Sequence, residues 1–481
     1  MGGIVEYKSL FIDGDWVAPA REAWLDVWSP STEQVVGRVP VAGETEVDTA
    51  IAAARRAFDE GPWPRMSVDE RRAVVLRAAE LLAPRAEELT RISTSENGII
   101  ARYNLGNVGP RFAYNATLSP PEPEIRKAPD GARAKIVHEP VGVVSAIVPW
   151  NSPIPLTLSK VLPALMAGCT VVLKPASETP LSAFVLVEAF AEAGLPPGVL
   201  NVVVAPREVA ERMVTSPLVD HVSFTGGTSG GKRIAKLCCE NVTRFHLELG
   251  GRSPVVVLDD ADLAAVAPGV LGGGLLINNG EACAAWTRIL VPRSRHDEAV
   301  DAFREVVRSV TVGDPFDPAT DLGPMINEAH RDSVEGYIRL AESEGARVAI
   351  GGGRPAGLDR GWYLEPTILV DAHNDMRSSR EEIFGPVVSV IPYDGDDDAV
   401  RIANDSPYGL AGGVFTADPA RGVEVASRIR SGTVGVNGLG FNMAFPFGGY
   451  KESGIGRQHG PESVAEFLEI KTIGLPARME L

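Results

Sequence analysis

The sequence predicts an α/β protein with two parallel-sheet domains in series. Three observations carry that expectation. The chain has 481 residues, too long for one ordinary core. From about residue 141, apolar runs of strand length alternate with helical segments, as in a parallel sheet covered on both faces. The alternation restarts near Ser253 and continues to about Phe447.

Taken in order, residues 11–40 read as short strands and tight turns. Residues 44–60 and 68–90 read as amphipathic helices, with Ala, Leu and Val at helical spacing. Residues 118–129 are proline-rich and acidic, as in an exposed connector. An apolar strand follows at 141–148, then a helix at 158–167 despite Pro163, and a short buried strand at 170–173. A helix at 181–193 closes on Gly194, with a strand at 199–204 and a helix at 207–215 behind it. The strand 219–224 leads into a Gly-rich turn, 225–231, and the helix 232–240. The second series opens with a strand at 253–257 and helices at 263–278 and 296–310.

Composition narrows the function. Hydrophobic residues make up 44%, enough for a sizeable core, and 50 Gly with 37 Pro imply many turns. The net charge is −17, with no Lys/Arg cluster to grip nucleic acid. The acidic balance favours solubility. Four cysteines, Cys169, Cys238, Cys239 and Cys283, argue against a disulfide framework, and no Cys-x-x-Cys pair suggests a metal site. The first residues lack a basic region followed by an apolar core, and Glu6 stands where a myristoylation signal needs Ser or Thr. The apolar run 271–277 is too short and Gly-rich to span a membrane. The expectation is a cytoplasmic protein with neither a membrane nor a nucleic-acid partner.

Seven short stretches carry chemistry, each with a plainer alternative. Cys283 follows the polar loop Asn278-Asn279-Gly280-Glu281-Ala282; it is either a nucleophile or a small core residue. The turn Gly226-Gly227-Thr228 to Gly231 joins a strand to a helix, which suits a dinucleotide phosphate or a mere tight corner. Asn151, in Pro149-Trp150-Asn151-Ser152-Pro153, either points its amide into a crevice or caps the turn. Lys174, before Pro175-Ala176-Ser177, either reaches a ribose or phosphate or snorkels at the surface. Glu248, in Leu247-Glu248-Leu249-Gly250-Gly251, becomes a general base with a raised pKa if buried, or else caps a turn. Finally, Glu381-Glu382-Ile383-Phe384-Gly385-Pro386 and Pro446-Phe447-Gly448-Gly449-Tyr450-Lys451 read as loops closed by Gly and Pro.

Together, in this order and spacing, these stretches resemble the aldehyde dehydrogenase superfamily from about Phe11 to Ile473. The resemblance implies Cys283 as nucleophile, Glu248 as general base and Asn151 as oxyanion-hole amide. It implies a cofactor cleft made by Ile147, Pro149, Trp150, Lys174, Ser177, Gly226, Gly227, Thr228, Gly231, Leu249, Glu382 and Phe384. It also implies a substrate tunnel of Ser152, Leu156, Ser159, Ile277, Phe441 and Phe447, with residues 101–119 at its entrance. The implied domains are dinucleotide-binding at 1–120 and 141–249, catalytic at 250–450, and bridging at 121–140 and 451–481. In the bridging element, residues 133–139 and 467–473 would form a small antiparallel sheet that joins subunits into a dimer or tetramer.

The implied activity is oxidation of an aldehyde to an acid with NAD. Three departures bear on it. Ser177 stands where NAD-preferring members often carry Glu, so NADP is expected to be tolerated, with Glu178 as a possible brake. Glu281 stands where Gln is frequent, and is expected to face solvent or a partner. Gln458 replaces a Glu that some relatives use as a second proton carrier. The tunnel positions are apolar or small without Lys or Arg, which favours a medium-sized hydrophobic aldehyde, aliphatic, terpenoid or aromatic, over an anionic semialdehyde. A semialdehyde dehydrogenase, a CoA-acylating enzyme, a glyceraldehyde-3-phosphate enzyme and a catalytically retired structural member are the alternatives; Glu248 disfavours the CoA route, and the intact Cys283, Glu248 and Asn151 disfavour retirement. The other three cysteines are expected in the core.

Overall fold

Three five-residue strands, Val143–Ile147, Thr170–Lys174 and His221–Thr225, form the centre of a parallel sheet because nearly every residue in them is buried. A computed structural model of the chain describes residues 4–103 and 105–476. Residues 1–3 of the N-terminal stretch, Asn104 of the expected entrance segment and residues 477–481 of the expected bridging element lie outside them. The full sheet has eight strands, and Val143–Ile147 pairs with Thr170–Lys174 on one side and His221–Thr225 on the other. Alternate residues face opposite ways. Val144, Ala146 and Val171 pack on the helices Pro153–Ala167 and Leu181–Glu192, while Val143, Val172 and Val222 pack on Glu44–Asp59 and Thr228–Asn241.

The chain leaves Val143–Ile147 toward Thr170–Lys174 and Leu200–Val202, then crosses back to His221–Thr225 and Arg244–Glu248. That reversal opens a crevice at the C-terminal ends of the strands, where α/β sheets bind ligands. A second, seven-stranded sheet is centred on Pro254–Val257, Arg288–Pro292 and Val387–Tyr393. A third pairs Arg133–Pro140 with Leu468–Leu475 and Glu124–Lys127, all antiparallel. The two-residue strand Gly454–Ile455 joins the eight-stranded sheet beside Arg244–Glu248, although it lies within the span expected to bridge.

Several boundaries differ from expectation. The helix expected over 68–90 breaks at Pro84 into Val68–Leu82 and Ala86–Asn97, because proline lacks the N–H that would continue the first helix. The helix expected at 158 begins at Pro153, since proline at a first helical position loses no hydrogen bond. The helix after the Gly-rich turn likewise begins earlier, at Thr228. The expected connector contains the exposed edge strand Glu124–Lys127. Cys169 and Cys238 are buried as expected, but Cys239 is exposed on the outer face of its helix.

The helix expected over 263–278 has three parts: Leu263–Leu271 is α-helical, Gly272–Leu276 widens into a π turn, and Ile277–Gly280 tightens. A side chain at Gly273 would meet the Trp286 ring at 2.6 Å and one at Gly274 the Trp286 carbonyl oxygen at 2.7 Å, so the glycines let this turn settle on that residue. The run Leu263–Gly280 has the length and hydropathy of a membrane span, yet it is half buried and ends at two left-handed asparagines.

Candidate active site

The loop before Cys283 is held by amide side chains. Asn278 and Asn279 have φ of 52° and 58°, a conformation asparagine tolerates better than most residues. Asn278 donates to the carbonyls of Asn151 at 2.7 Å and Glu281 at 2.9 Å. Asn279 donates to Gly98 at 2.9 Å and accepts from the Gly323 N–H at 2.9 Å. The Glu281 carboxyl turns inward, contrary to a solvent-facing orientation, and accepts from the Ile326 N–H at 2.9 Å. Burial holds its pKa well above the usual carboxylate range. It is thus a structural tie that faces away from the thiol.

Cys283 opens onto a cavity of about 1200 Å³ that Asn151 also lines. The Asn151 amide is buried and donates to the Glu281 carbonyl at 2.8 Å. An amide has two donors, so one remains. The Cys283 thiol is pushed up to about 12 by burial first, then by the charges of Glu248 and Glu382. Those two carboxyls, 134 residues apart in sequence, therefore lie close to the sulfur.

Glu248 ends the strand Arg244–Glu248 and is 3% exposed. Its carboxyl oxygens have no hydrogen-bond partner among the described residues. Burial raises its pKa well above the ordinary range, against the pull of Lys160 and Arg457. Gly448 admits this carboxyl, since a side chain there would sit 2.8 Å from Glu248 Oε1. His246 Nε2 lies 3.5 Å from the same oxygen, but burial keeps the imidazole neutral. Lys160 was not singled out from the sequence, where it hides in an apolar helix. It is fully buried, donates to Ser223 Oγ at 3.1 Å, and has its pKa lowered to about 7 by burial.

A second cavity, of about 400 Å³, lies at the sheet's reversal. Ile147, Pro149, Trp150, Lys174, Ser177, Gly226 and Gly227 line it, as expected. The helix Thr228–Asn241 points its N-terminus here, and its cap, Gly227, offers no side chain to satisfy the free N–H groups. Nothing approaches within 4 Å of where a Gly227 side chain would stand. That is a cradle for an anionic phosphate. Arg207 and Arg233 also line the cavity; Glu211 pairs with Arg233 at 2.8 Å, while Arg207 makes no ion pair within 4 Å among the described residues, although its charge reaches Glu211.

Other expected cleft residues stand apart from that cavity. Gly231 and Leu249 pack on each other: a side chain at Gly231 would meet Leu249 at 2.4 Å. The Thr228 hydroxyl donates to the Glu452 carbonyl at 3.5 Å. Glu382 lies toward Cys283, where it accepts from the Gly251 N–H at 2.9 Å and burial raises its pKa to about 7. Phe384, at φ 57°, stands edge-on to Trp150 at 5.4 Å, and its carbonyl accepts from His330 Nε2 at 2.7 Å. His330 completes that aromatic cluster and carried no sequence signal.

Of the expected tunnel residues, Ser152, Leu156, Ile277, Phe441 and Phe447 line the large cavity with Cys283. Ser159 does not; its hydroxyl contacts Gln458 Oε1 at 3.2 Å, beside a separate small cavity. Gln458 Nε2 in turn contacts Thr225 Oγ1 at 3.4 Å. The entrance segment supplies Tyr103, Asn107, Pro110 and Arg111, and His459 adds a further polar wall.

A thiol, an amide donor and an unpartnered carboxyl in a fold with a nucleotide-sized crevice fit an oxidoreductase. Residues 16–473 match the aldehyde dehydrogenase family, and the chain belongs to that family. Geranial dehydrogenase of Castellaniella defragrans is 44% identical over 477 residues, covering 98% of this chain and 99% of that protein. The 3-succinoylsemialdehyde-pyridine dehydrogenase of a Pseudomonas species is 39% identical, covering 97% and 98%. The crystal structure of a Mycobacterium tuberculosis aldehyde dehydrogenase complexed with NAD+ superposes with a TM-score of 0.96 at 44% identity, covering 100% of both chains. A mutant aldehyde dehydrogenase C of Pseudomonas syringae, complexed with NAD+ and octanal, gives 0.93 at 38% identity, covering 97% and 96%.

Proposed function

We propose that this enzyme oxidises a medium-sized, predominantly apolar aldehyde to its carboxylic acid, with NAD as the hydride acceptor and NADP tolerated. The observation that carries the reading is that Cys283 and Asn151 open on one cavity while the buried, unpartnered Glu248 carboxyl lies close enough for its charge to bear on the Cys283 thiol. The eight-stranded half of the molecule would hold the nucleotide, with the pyrophosphate at Gly227 and the helix N-terminus, and the ribose near Lys174 and Ser177. Bound there, NAD supplies a hydride acceptor. Relatives crystallised with NAD+ support that choice.

The steps follow from the residues. The Cys283 thiolate attacks the carbonyl carbon and forms a thiohemiacetal. Its oxyanion is stabilised by the free Asn151 N–H and the backbone N–H of Cys283. Loss of hydride leaves a thioester on the sulfur. Glu248, once ionised, takes a proton from water, the hydroxide adds to the thioester, and the acid leaves as the thiolate is restored. Burial of Glu248 costs it ionisation and so makes it a stronger base when ionised.

Leu156, Ile277, Phe441 and Phe447 give the large cavity its apolar body, and the geranial and octanal relatives support a hydrophobic chain. The small antiparallel sheet exposes Ile125, Ile470 and Ile473, which supports its role in a dimer or tetramer. The test is an aldehyde panel followed by NADH absorbance. Octanal, geranial or benzaldehyde should exceed succinic semialdehyde in kcat/KM. Cys283→Ala should abolish NADH formation while nucleotide binding persists; substantial oxidation by that variant removes the mechanism.

A further inference from the structure

The helix Gly109–Ala116 places a cation in the wall of the substrate cavity, the one Lys or Arg among the described residues that line it. Arg111 lines the same hollow as Cys283 and Asn151. Its guanidinium has neither an ion pair nor a side-chain hydrogen bond among the described residues, and no carboxylate bears on it; desolvation alone pulls its pKa down. Arg111 is half-buried, whereas Arg252 and Arg288 are fully buried and spend donors on the fold, although Arg252 Nε and one of its terminal nitrogens find no partner. Arg252 donates to the Ser378 carbonyl at 2.6 Å and to Ser389 Oγ at 3.2 Å. Arg288 donates to Arg252, Asn374, Ile402 and Ala403, all within 2.9 Å. A guanidinium stays charged in a protein, and a half-buried one that spends no donor on the fold has donors free for an anion in the cavity.

The surroundings define what would pair with it. Phe441 and Phe447 stand edge-to-face at 5.6 Å, and Phe447 lies 5.9 Å from the His459 ring. This aromatic row leads to Arg111, whose charge, after burial, keeps His459 neutral. An apolar body that ends at an arginine and a neutral imidazole suits a molecule with an apolar chain and an anionic far end. A carboxylate matches the guanidinium fork with two parallel hydrogen bonds.

We propose that Arg111 determines specificity and selects medium-chain ω-oxo carboxylic acids, with the aldehyde at Cys283 and the carboxylate on the guanidinium. This rests on the aldehyde-oxidising reading and gives the far end of its substrate a chemistry. Anionic aldehydes are disfavoured from the sequence for want of a tunnel cation, and Arg111 supplies one from the entrance segment, residues 101–119.

The test compares 8-oxooctanoate with octanal, using the purified enzyme and NAD. The expected wild-type preference in kcat/KM is about 10- to 100-fold for the oxo acid, the worth of a charged hydrogen bond. Arg111→Met should lower the ratio of the two kcat/KM values by that factor, and Arg111→Lys should restore part of it. Octanedioate should inhibit octanal oxidation competitively, with a Ki raised in Arg111→Met. A ratio that moves less than about threefold in Arg111→Met, or a wild type that prefers octanal, overturns the assignment. If the wild type oxidises neither compound, the aldehyde-oxidising reading itself fails.

Discussion

Asn151→Ala separates catalysis from folding with unusual clarity. The Asn151 amide spends one N–H on the Glu281 carbonyl and leaves the other for a developing oxyanion. Removing such a donor costs about 3–4 kcal/mol of transition-state stabilisation, or roughly 100- to 1000-fold in kcat. The structural cost is smaller. Asn278 also donates to the Glu281 carbonyl, and holds the backbone of residue 151 through its carbonyl. The loop therefore keeps its ties, and the variant loses about one buried hydrogen bond, on the order of 1 kcal/mol. The assay is steady-state NADH formation beside a thermal melt, with stopped-flow measurement of the first turnover. The expected result is a hydride step slowed about 100-fold or more with Tm lowered by only a few degrees. A loss below tenfold in a stably folded variant refutes the oxyanion assignment.

Glu248→Gln should preserve a first-turnover burst of NADH but slow the steady state by about 100-fold or more, since the base acts on the thioester; a variant with both phases unchanged shows that another group is the base. The wild-type steady state should rise with pH through a pKa above the ordinary carboxylate range, because burial favours the protonated Glu248 and only the ionised form accepts a proton. That acid limb should vanish in Glu248→Gln. For the cofactor, NAD should be preferred over NADP by less than about 1000-fold, roughly 4 kcal/mol, and Arg207→Ala should lower NADP use more than NAD use; equal losses would place Arg207 outside the 2′-phosphate site. Glu96 is fully buried, its carboxyl accepts from the Leu181 N–H at 3.0 Å, and burial raises its pKa to about 8. A raised folded-state pKa means that the stability it contributes is intact below about pH 4.3 and is lost as pH rises toward 8, by at most about 1.4 kcal/mol per pH unit. Glu96→Gln should therefore melt higher than wild type near pH 8 and converge with it near pH 5; parallel Tm curves would contradict this.

What the sequence disclosed and what it hid follow a physical division. Cys283, Glu248 and Asn151 were legible because each sits in a short stretch whose neighbours restrict the backbone: the left-handed asparagines, the paired glycines and the flanking prolines. The parallel strands were legible because burial on both faces demands continuous apolar runs. Helix starts were not, because Pro153 and Thr228 open helices by leaving orphan N–H groups unspent, a feature without hydrophobic periodicity. Glu281 misled because its acceptor bond to Ile326 joins residues 45 apart, and Ser159 because its partner Gln458 lies 299 residues away. Lys160, Arg111 and His459 share that cause. Each comes from a helix or loop with its own local logic and gains meaning only where distant segments meet. Chemistry in this fold is therefore written locally, at strand ends and tight turns that must hold atoms in place. The selectivity proposed for Arg111 depends instead on a helix face assembled with far-apart segments, which is why it lies beyond the reach of a local reading while Cys283 does not.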